Sequence, residues 1–324
     1  MKRVFFARAA AVLLAATLPV LAAAQAFPSK PLKIIVPYSP GGTTDLLARL
    51  VGQKLSERFG QPVIVDNKPG ANGMIGSDFV AKSPPDGYTL GIASPGSHAA
   101  NAALYKTMTY DIVKDFTPVT LAVSAPMLLV VHPSLNVNSV KELVAAAKAK
   151  PGEISYASGG SGSSQHLAME QFKTMAGIDM THVPYKGSAA AYPDLLGGTV
   201  KAQIDVLPTA LPPSKAGRLK MLATGSAKRL ALLPDLPTIS ESGVPGYEAS
   251  AWYGFVAPPN LPKDVLAKLH AEIVRALREP DVIEKLTTAG VIIVASTPQE
   301  FAAHIKTEME KSAKIVKAAN IKPD

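Results

Sequence analysis

Apolar and polar positions alternate between two periodicities along most of the chain. Short runs rich in Val, Ile, Leu and Ala are typical of buried strands. They lie at 32–36, 63–66, 89–93, 127–131, 155–157, 181–183, 202–205 and 220–223. Segments whose apolar residues recur every three or four positions predict helices at 44–59, 74–82, 140–150, 164–175 and 190–196. Because strands and helices alternate, the sequence predicts an α/β fold with a mainly parallel sheet.

The C-terminal part of the chain has a different pattern. After Pro258, two long segments with one apolar face predict amphipathic helices at 262–277 and 298–317. Two further runs, 116–131 and 247–257, are apolar and β-rich and are long enough to pass from one part of the molecule to another. We interpret these two runs as segments that cross between two lobes.

A chain that crosses twice forms a discontinuous first domain and a continuous second one. We therefore predict a first domain of 27–122 with 250–324, and a second domain of 123–249. Each lobe is expected to be a mainly parallel sheet flanked by helices. Open α/β sheets bind ligands at the carboxyl ends of their strands, so the cleft between the lobes is the expected binding site.

Residues 1–24 have the pattern of a signal peptide. Basic residues precede an apolar segment at 9–21, and the small residues around Ala24 and Ala26 fit cleavage sites. The sequence therefore predicts export to the periplasm. The chain has no cysteine, which excludes disulfides, thiolate zinc sites and cysteine nucleophiles.

The excess of positive charge does not indicate nucleic-acid binding. The chain has 33 basic and 25 acidic residues, but the basic residues are dispersed and interleaved with acids. No basic stripe carries aromatic residues. We expect no nucleic-acid partner.

Two loops rich in Gly, Ser and Thr precede predicted helices, one at 37–45 and one at 158–166. A loop of this kind at a helix N-terminus offers unpaired backbone N–H groups and hydroxyl donors to an anion. Thr43 and Thr44 are either plain N-caps or caps that also donate to a ligand oxygen. Two such loops predict two half-sites that close on one small organic acid anion.

Other residues are candidates on weaker grounds. Tyr38 either covers an apolar ligand body, donates to the ligand through its phenol, or has a packing role. Further loops of the same kind contain Ser94 and Tyr185. Asp205 ends a predicted strand, where it either caps a helix or accepts from a ligand hydroxyl or ammonium group. His166 is expected to brace its loop, with ligand contact as the alternative.

Catalytic and cofactor sites are not indicated by the sequence. Three serines near His166 suggest an exported serine hydrolase as an alternative, but no strict G-x-S-x-G motif is present. Ser164 and His166 would point about 200° apart on a helix. The six histidines lack metal-binding spacing. The glycine-rich segment 70–76 predicts a turn into a helix. We expect no metal, no cofactor and no enzyme activity.

Six motifs are spread over the chain: Pro37-x-x-Pro40-Gly41-Gly42 with Asp45 and Arg49, Val65-x-Asn67-x-Pro69-Gly70-Ala71, Pro85-Asp86-Gly87-Tyr88-Thr89, Tyr156-Ala157-Ser158 through His166-Leu167, Val183-Pro184-Tyr185-Lys186-Gly187, and Trp252-Tyr253-Gly254. Together they resemble the Bug-type (TctC-like) substrate-binding proteins of tripartite tricarboxylate transporters. The resemblance implies a two-lobed, Venus-flytrap periplasmic receptor without catalytic activity.

The resemblance also implies a partner and a set of binding residues. The ligand carboxylate is expected to be held by the two loops through backbone groups and ordered waters, with Asp205 facing its distal part. The other residues implicated are Tyr38, Gly41, Gly42, Thr43, Thr44, Ser158, Gly162, Ser163 and Ser164.

A monomer is expected to deliver the ligand to integral membrane permease subunits of such a transporter, or alternatively to act as a sensor for a signalling partner. The ligand stays open among dicarboxylates, tricarboxylates, acidic amino acids and aromatic acids.

Overall fold

The computed structural model describes residues 27–323, so the predicted signal peptide and its cleavage sites lie outside the described residues. The strands are β1 (Leu32–Val36), β2 (Val63–Asn67), β3 (Thr89–Ala93), β4 (Thr117–Val131), β5 (Ser155–Ser158), β6 (Thr181–Pro184), β7 (Ala202–Val206), β8 (Lys220–Thr224), β9 (Ser250–Ala257) and β10 (Ile292–Ile293).

The helices alternate with these strands as the sequence predicts. They are α1 (Thr43–Phe59), α2 (Met74–Ala81), α3 (Asn101–Leu104), α4 (Val140–Ala149), α5 (Ser164–Ala176), α6 (Ser188–Leu196), α7 (Leu207–Lys215), α8 (Lys263–Leu277), α9 (Pro280–Thr288) and α10 (Pro298–Ala318). Over residues 27–323, no helix is both long enough and apolar enough to cross a bilayer.

Three helices, α3, α7 and α9, were not predicted from the sequence. Helix α7 contains Pro208, Pro212 and Pro213, which normally argue against a helix. Pro208 lies in the first turn, where a missing N–H costs nothing, and the helix ends shortly after the other two prolines. Helix α9 is short and also begins with a proline, Pro280.

The strands are arranged in the order β2-β1-β3-β9-β4-β7-β5-β6, with β8 and β10 also paired to β4. Strand β1 is parallel to β2 and β3, and β5 is parallel to β6 and β7. Strands β4 and β9 run antiparallel to their neighbours. The sheet is therefore mixed, not mainly parallel as predicted, because only the strand-helix-strand units produce parallel pairs.

Strand β4 is continuous through both halves of the molecule. Its residues from Thr117 to Pro126 pair with β9, and those from Met127 to Val131 pair with β7 and β8. We call β1, β2, β3 and β9 with their helices the first lobe, and β5 to β8 with theirs the second lobe. The division into domains 27–122 with 250–324 and 123–249 stays a prediction, since β4 belongs to both sheets.

Helix α1 shows how the apolar pattern is used. Leu47, Leu50, Val51 and Leu55 recur at helical spacing and are buried against the first sheet. This packing fixes the direction of the helix, so that its N-terminus, with Asp45 in the first turn, lies at the carboxyl end of β1. The same strand-to-helix arrangement recurs in the second lobe at the N-termini of α5, α6 and α7.

Candidate functional site

A small cavity lies where loops of both lobes meet, and we call it the inner chamber. Its lining from the first lobe and its sheet comprises Tyr38, Ser39, Gly42, Thr43, Thr44, Ser94 and Tyr253. Its lining from the second lobe comprises Gly159, Ser163, Ser164, Gln165, Gly187, Ser188, Ala189 and Val206. The lining is polar and contains no lysine, arginine or histidine.

Four helices begin at the wall of this chamber. The residues that precede them, Gly42 for α1, Ser163 for α5, Gly187 for α6 and Val206 for α7, all belong to the lining. Each helix N-terminus carries a partial positive charge on backbone N–H groups that have no partner inside the helix. The chamber is therefore electropositive without any cationic side chain.

The first-lobe loop is held in shape by Asp45. Gly41 has a φ of +89°, a conformation that glycine adopts readily, and its N–H donates to Asp45 Oδ2 over 3.1 Å. Arg49 Nε donates to the same oxygen over 3.0 Å, and Asn67 Nδ2 donates to Oδ1 over 3.1 Å. Although burial acts to raise the pKa of Asp45, the bonds from Arg49, Gly41 and Asn67 outweigh it and lower that pKa. Asp45 is thus ionised at neutral pH, and it is absent from the chamber lining.

Thr43 presents an unsatisfied hydroxyl at the chamber wall. Its Oγ1 is buried and has no hydrogen-bond partner within the described part of the chain. A buried hydroxyl without a partner costs free energy, so such groups are rare unless a water or ligand satisfies them. Next to it, a Cβ built on Gly42 would meet no atom within 4 Å. The start of α1 therefore has both an available donor and room for a bound atom.

Tyr38 lines both the inner chamber and a neighbouring cavity, which we call the outer chamber. Its hydroxyl bonds to Ser94 Oγ over 2.8 Å, and Ser94 Oγ is in turn 3.1 Å from Ser97 Oγ. Burial raises the pKa of Tyr38, so it stays a neutral phenol. The outer chamber shares Tyr38 and Gly159 with the inner one.

Tyr185 lines the outer chamber instead of the inner one. Its hydroxyl donates to Asp194 Oδ2 over 2.6 Å, which turns it toward helix α6. The loop that carries it nevertheless reaches the inner chamber through Gly187 and Ser188, two residues further on.

Several predicted residues of the second loop support it from behind. Ser158 Oγ is 2.6 Å from His182 Nε2 and accepts from the N–H of Gly160. His166 Nδ1 accepts the N–H of Gly162 over 3.0 Å, and its ring stacks on His182 with centroids 3.8 Å apart. Ser158, Gly162 and His166 are absent from the chamber lining, as is Gly41 of the first loop. His166 thus holds the backbone of its loop through Gly162.

Ser163 and Ser164 have hydrogen-bond partners other than the imidazole ring of His166. Ser164 Oγ donates to Gln165 Oε1 over 3.2 Å, while His166 Nδ1 is used by a backbone N–H. Ser163 Oγ accepts the N–H of His166 over 3.3 Å as an N-cap. This arrangement suits anion binding and gives no support to acyl transfer.

Asp205 lies directly behind the chamber wall and is fully buried. Its Oδ1 accepts from Gln165 Nε2 over 2.9 Å and from the N–H of Val206 over 2.8 Å, and its Oδ2 accepts from the Tyr192 hydroxyl over 3.0 Å. Burial raises the pKa of Asp205 to about 6, against the lowering effect of hydrogen bonds from Gln165, Val206, Tyr192 and Ser188. Asp205 therefore connects the N-terminal residues of α5, α6 and α7.

Seven of the predicted residues lie in the inner-chamber lining: Tyr38, Gly42, Thr43, Thr44, Ser94, Ser163 and Ser164. Eight lining residues were not predicted: Ser39, Gly159, Gln165, Gly187, Ser188, Ala189, Val206 and Tyr253. Ser39, Gly159, Gln165 and Val206 each adjoin a predicted residue in the sequence, and Gly187, Ser188 and Ala189 follow the predicted Tyr185 within four positions. Tyr253 is the exception, and its only sequence signal is its place in the Trp252-Tyr253-Gly254 motif.

The two lobes touch each other beside the chamber. The backbone N–H and the hydroxyl of Ser39, in the first lobe, both donate to the carbonyl oxygen of Lys186 in the second, over 3.3 and 2.6 Å. An apolar cluster of Ala100, Leu104, Leu167 and Val316 also joins the lobes. The structure thus describes a form in which the two halves of the site are together.

These features agree with a known family of receptors. The sequence model described as "Tripartite tricarboxylate transporter family receptor" matches residues 47–321. This chain belongs to that family, which confirms the resemblance found in its motifs. Protein BugT of Bordetella pertussis is 37% identical over 300 residues, which cover 92% of this chain and 92% of BugT.

Solved structures of similar proteins carry small carboxylates. The structure of Rpa4515 of R. palustris with adipate is 42% identical, covers 92% of this chain and 100% of that chain, and has a TM-score of 0.89. MatC (Rpa3494) from Rhodopseudomonas palustris with bound malate is 31% identical, covers 90% of this chain and 100% of that chain, and has a TM-score of 0.86. The likeness confirms the two-lobed fold of a periplasmic binding protein. The family and these neighbours are substrate-binding proteins.

Proposed function

We propose that this protein captures a small carboxylate in the inner chamber and delivers it to a tripartite tricarboxylate-type membrane transporter. The observation that carries the proposal is the convergence of four helix N-termini on one polar chamber that has no cationic side chain. Such an arrangement favours an anion through backbone dipoles and N–H donors. The adipate and malate bound by its structural neighbours support a carboxylate as that anion.

The two lobes have complementary roles in this proposal. Gly42, Thr43 and Thr44 at the start of α1 hold one side of the carboxylate, and Ser163 and Ser164 at the start of α5 hold the other. Charge-assisted hydrogen bonds contribute roughly 1.5–3 kcal/mol each, so a few of them reach the −8 kcal/mol or so of micromolar binding.

Ligand binding is proposed to favour the closed arrangement of the lobes. The ligand touches both lobes, and it therefore stabilises the form in which Ser39 contacts Lys186. We infer that this closed form is what the permease subunits bind. Export through a cleaved signal peptide, the monomeric state and delivery to a permease instead of a signalling partner are parts of the same proposal.

Thr43→Val is the sharpest test of the site. Because the Thr43 hydroxyl has no partner among residues 27–323, its removal should leave the melting temperature of the ligand-free protein unchanged or slightly raised. If the hydroxyl donates to the ligand carboxylate, affinity should fall by about tenfold, equivalent to roughly 1.4 kcal/mol. Affinity is measured by calorimetry against a panel of carboxylic acids that includes adipate and malate.

Thr120→Val is the matched control. Thr120 is also a buried threonine of the first lobe, but its hydroxyl donates to the Ser296 carbonyl over 2.7 Å, and it is not part of the chamber lining. This variant should lose stability while it keeps the affinity of the unmodified protein. If Thr43→Val binds every acid of the panel as tightly as the unmodified protein, Thr43 does not contact the carboxylate.

Gly42→Val tests the space beside α1. Gly42 has φ −86° and ψ 176°, which valine adopts easily, and its Cβ would meet no protein atom. The variant should therefore fold normally and lose the thermal stabilisation that the acids produce, because the valine fills the carboxylate position. Undiminished stabilisation would place the ligand elsewhere. Hydrolysis of ester substrates that depends on Ser164 would instead favour the hydrolase alternative.

A further inference from the structure

Asp205 places a buried acid beside a site that we propose for an anion. Two of its hydrogen-bond donors, Gln165 and Val206, line the inner chamber themselves. Within residues 27–323, the hydrogen-bond partners of this acid are all neutral, and the chamber lining contains no lysine, arginine or histidine. A bound carboxylate and an ionised Asp205 would therefore be two negative charges beside the same helix N-termini.

The hydrogen bonds around Asp205 also fit a protonated carboxyl group. Oδ1 can keep both of its donors, Gln165 and the N–H of Val206, because it stays an acceptor in either state. A proton on Oδ2 can be donated to the Tyr192 hydroxyl oxygen, which is 3.0 Å away and can accept as well as donate. Protonation thus reverses one hydrogen bond and breaks none of those described.

We propose that the inner chamber takes up its carboxylate together with one proton from solvent, and that the Asp205 carboxyl group holds this proton. The inference rests on the proposed function. The ligand stays ionised, and the proton taken up at Asp205 offsets one of the negative charges that the ligand brings into the complex. Asp205 is a positioning residue here, because it acts on the ligand through charge and through Gln165 and Val206.

Among residues 27–323, the titratable side chains whose pKa values are coupled to Asp205 are the tyrosines Tyr192 and Tyr253, and both stay uncharged near neutral pH. Burial raises the pKa of Tyr192 on α6 well above its usual value, and it also raises the pKa values of Tyr253 on β9 and of Tyr38. Strand β4 presents Leu128 opposite Asp205. Burial raises the pKa of Asp205 to about 6 against the lowering effect of its hydrogen bonds, and a second negative charge nearby would raise this pKa further.

The inference predicts pH-dependent affinity. Between about pH 6 and pH 8 the affinity for adipate should fall by about tenfold, because the proton becomes harder to supply. Asp205→Asn resembles the protonated state in shape and hydrogen bonding. At about pH 8 this variant should bind adipate more tightly than the unmodified protein, and its affinity should be independent of pH. If Asp205 had a purely structural role, Asp205→Asn would bind adipate more weakly than the unmodified protein at every pH.

Proton uptake is measured directly by isothermal titration calorimetry. Adipate, or the acid of the panel that binds most tightly, is titrated at about pH 7 in two buffers with different enthalpies of ionisation. The unmodified protein should take up about half a proton per ligand, and Asp205→Asn should take up none. Asp45→Asn is the matched control: Asp45 is held ionised by Arg49, so that variant should keep the uptake.

The possible outcomes separate the inference from the proposed function. Binding with equal observed heats in the two buffers would overturn the proton uptake and leave the receptor function intact. Uptake that persists in Asp205→Asn would assign the proton to another group. A protein that binds no acid of the panel would overturn both proposals. Because the first measurement uses the unmodified protein, it does not depend on the folding of any variant.

Discussion

Each lobe has one aspartate beside the helix N-termini that face the inner chamber, and the two are stabilised differently. Asp45 of the first lobe is paired with Arg49, whose side chain is 54% exposed, so the ion pair is open to water. Asp205 of the second lobe is fully buried and accepts hydrogen bonds from Gln165, Val206 and Tyr192. The pKa of Asp45 is lowered, and burial raises that of Asp205 to about 6.

The difference shows that two aspartates with similar numbers of hydrogen bonds can have pKa values shifted in opposite directions. A cation at 3.0 Å keeps Asp45 ionised, which fixes the first loop in one shape at all moderate pH values. Neutral donors hold Asp205 in place, but they do not compensate the desolvation of its charge. The charge of Asp45 in the first lobe is therefore fixed at moderate pH, whereas the charge of Asp205 in the second lobe can change. The following changes test that contrast.

Replacing Asp205 with alanine should have the largest effect. The change leaves the N–H of Val206, the amide of Gln165 and the hydroxyl of Tyr192 without their acceptor. Each unsatisfied buried donor costs about 1–3 kcal/mol, and water in the chamber can relieve part of this, so we expect a loss of about 3 kcal/mol. Urea unfolding at neutral pH measures it. A loss no larger than that of Asp205→Asn would show that the hydrogen bonds contribute little.

The pH dependence of stability should differ between the unmodified protein and Asp205→Asn. Asp205 has a folded-state pKa of about 6, above its ordinary value of 3.8, so between these values the folded state binds more protons than the unfolded state. Stability from this group is therefore present at low pH and is lost as pH rises through 6. The difference should amount to about 2 kcal/mol between about pH 4 and pH 7.

The stability of the unmodified protein must be compared with that of Asp205→Asn because His98 also makes stability depend on pH. Burial lowers the pKa of His98 to about 3, so this group contributes stability above its ordinary pKa of 6.5 that is lost as pH falls. Its effect has the opposite sign and overlaps the same range. The two proteins share His98, and the difference between their urea midpoints isolates Asp205. A constant difference from pH 4 to 7 would contradict the raised pKa.

Asp45→Asn should have a smaller effect. The amide oxygen can still accept the N–H of Gly41, but the charge that attracts Arg49 is lost. We expect a loss of about 1 kcal/mol at neutral pH, which disappears when the pH falls low enough to protonate Asp45 in the unmodified protein. Denaturant unfolding at two pH values measures this. A loss that is equal at both values would mean that the charge of Asp45 is unimportant.

Arg49→Met should have the smallest effect. The Arg49 guanidinium is about half exposed, and exposed ion pairs contribute only about 0.5 kcal/mol. The loss should shrink further in 1 M salt, because exposed charges are screened. Thermal unfolding at low and high salt measures it. A loss of several kcal/mol that salt does not change would show that Asp45 depends on its cation as strongly as Asp205 depends on its neutral donors.

The strands were accessible from sequence because they depend on short-range patterns, whereas seven of the fifteen residues that line the chamber were predicted. Apolar runs such as Leu32–Val36 can only be buried strands in an α/β chain, and each predicted strand is present. Gly42, Thr43 and Ser163 precede helices that are visible in the pattern, so their place at the chamber wall followed from helix geometry. Helix α7 was missed because its three prolines obscure it.

The sequence by itself determined the alternation of strands and helices, the family, and the two loops that offer N–H donors, because each of these depends on residues close together in the chain. Only the tertiary structure decided what surrounds those loops. Strand β7 lies between β4 and β5, out of sequence order, which brings the start of α7 beside that of α5. That neighbour relation places Asp205 against Gln165, 40 residues away, and buries it without a cation. Its charge is therefore set by strand order and burial, which no local pattern records.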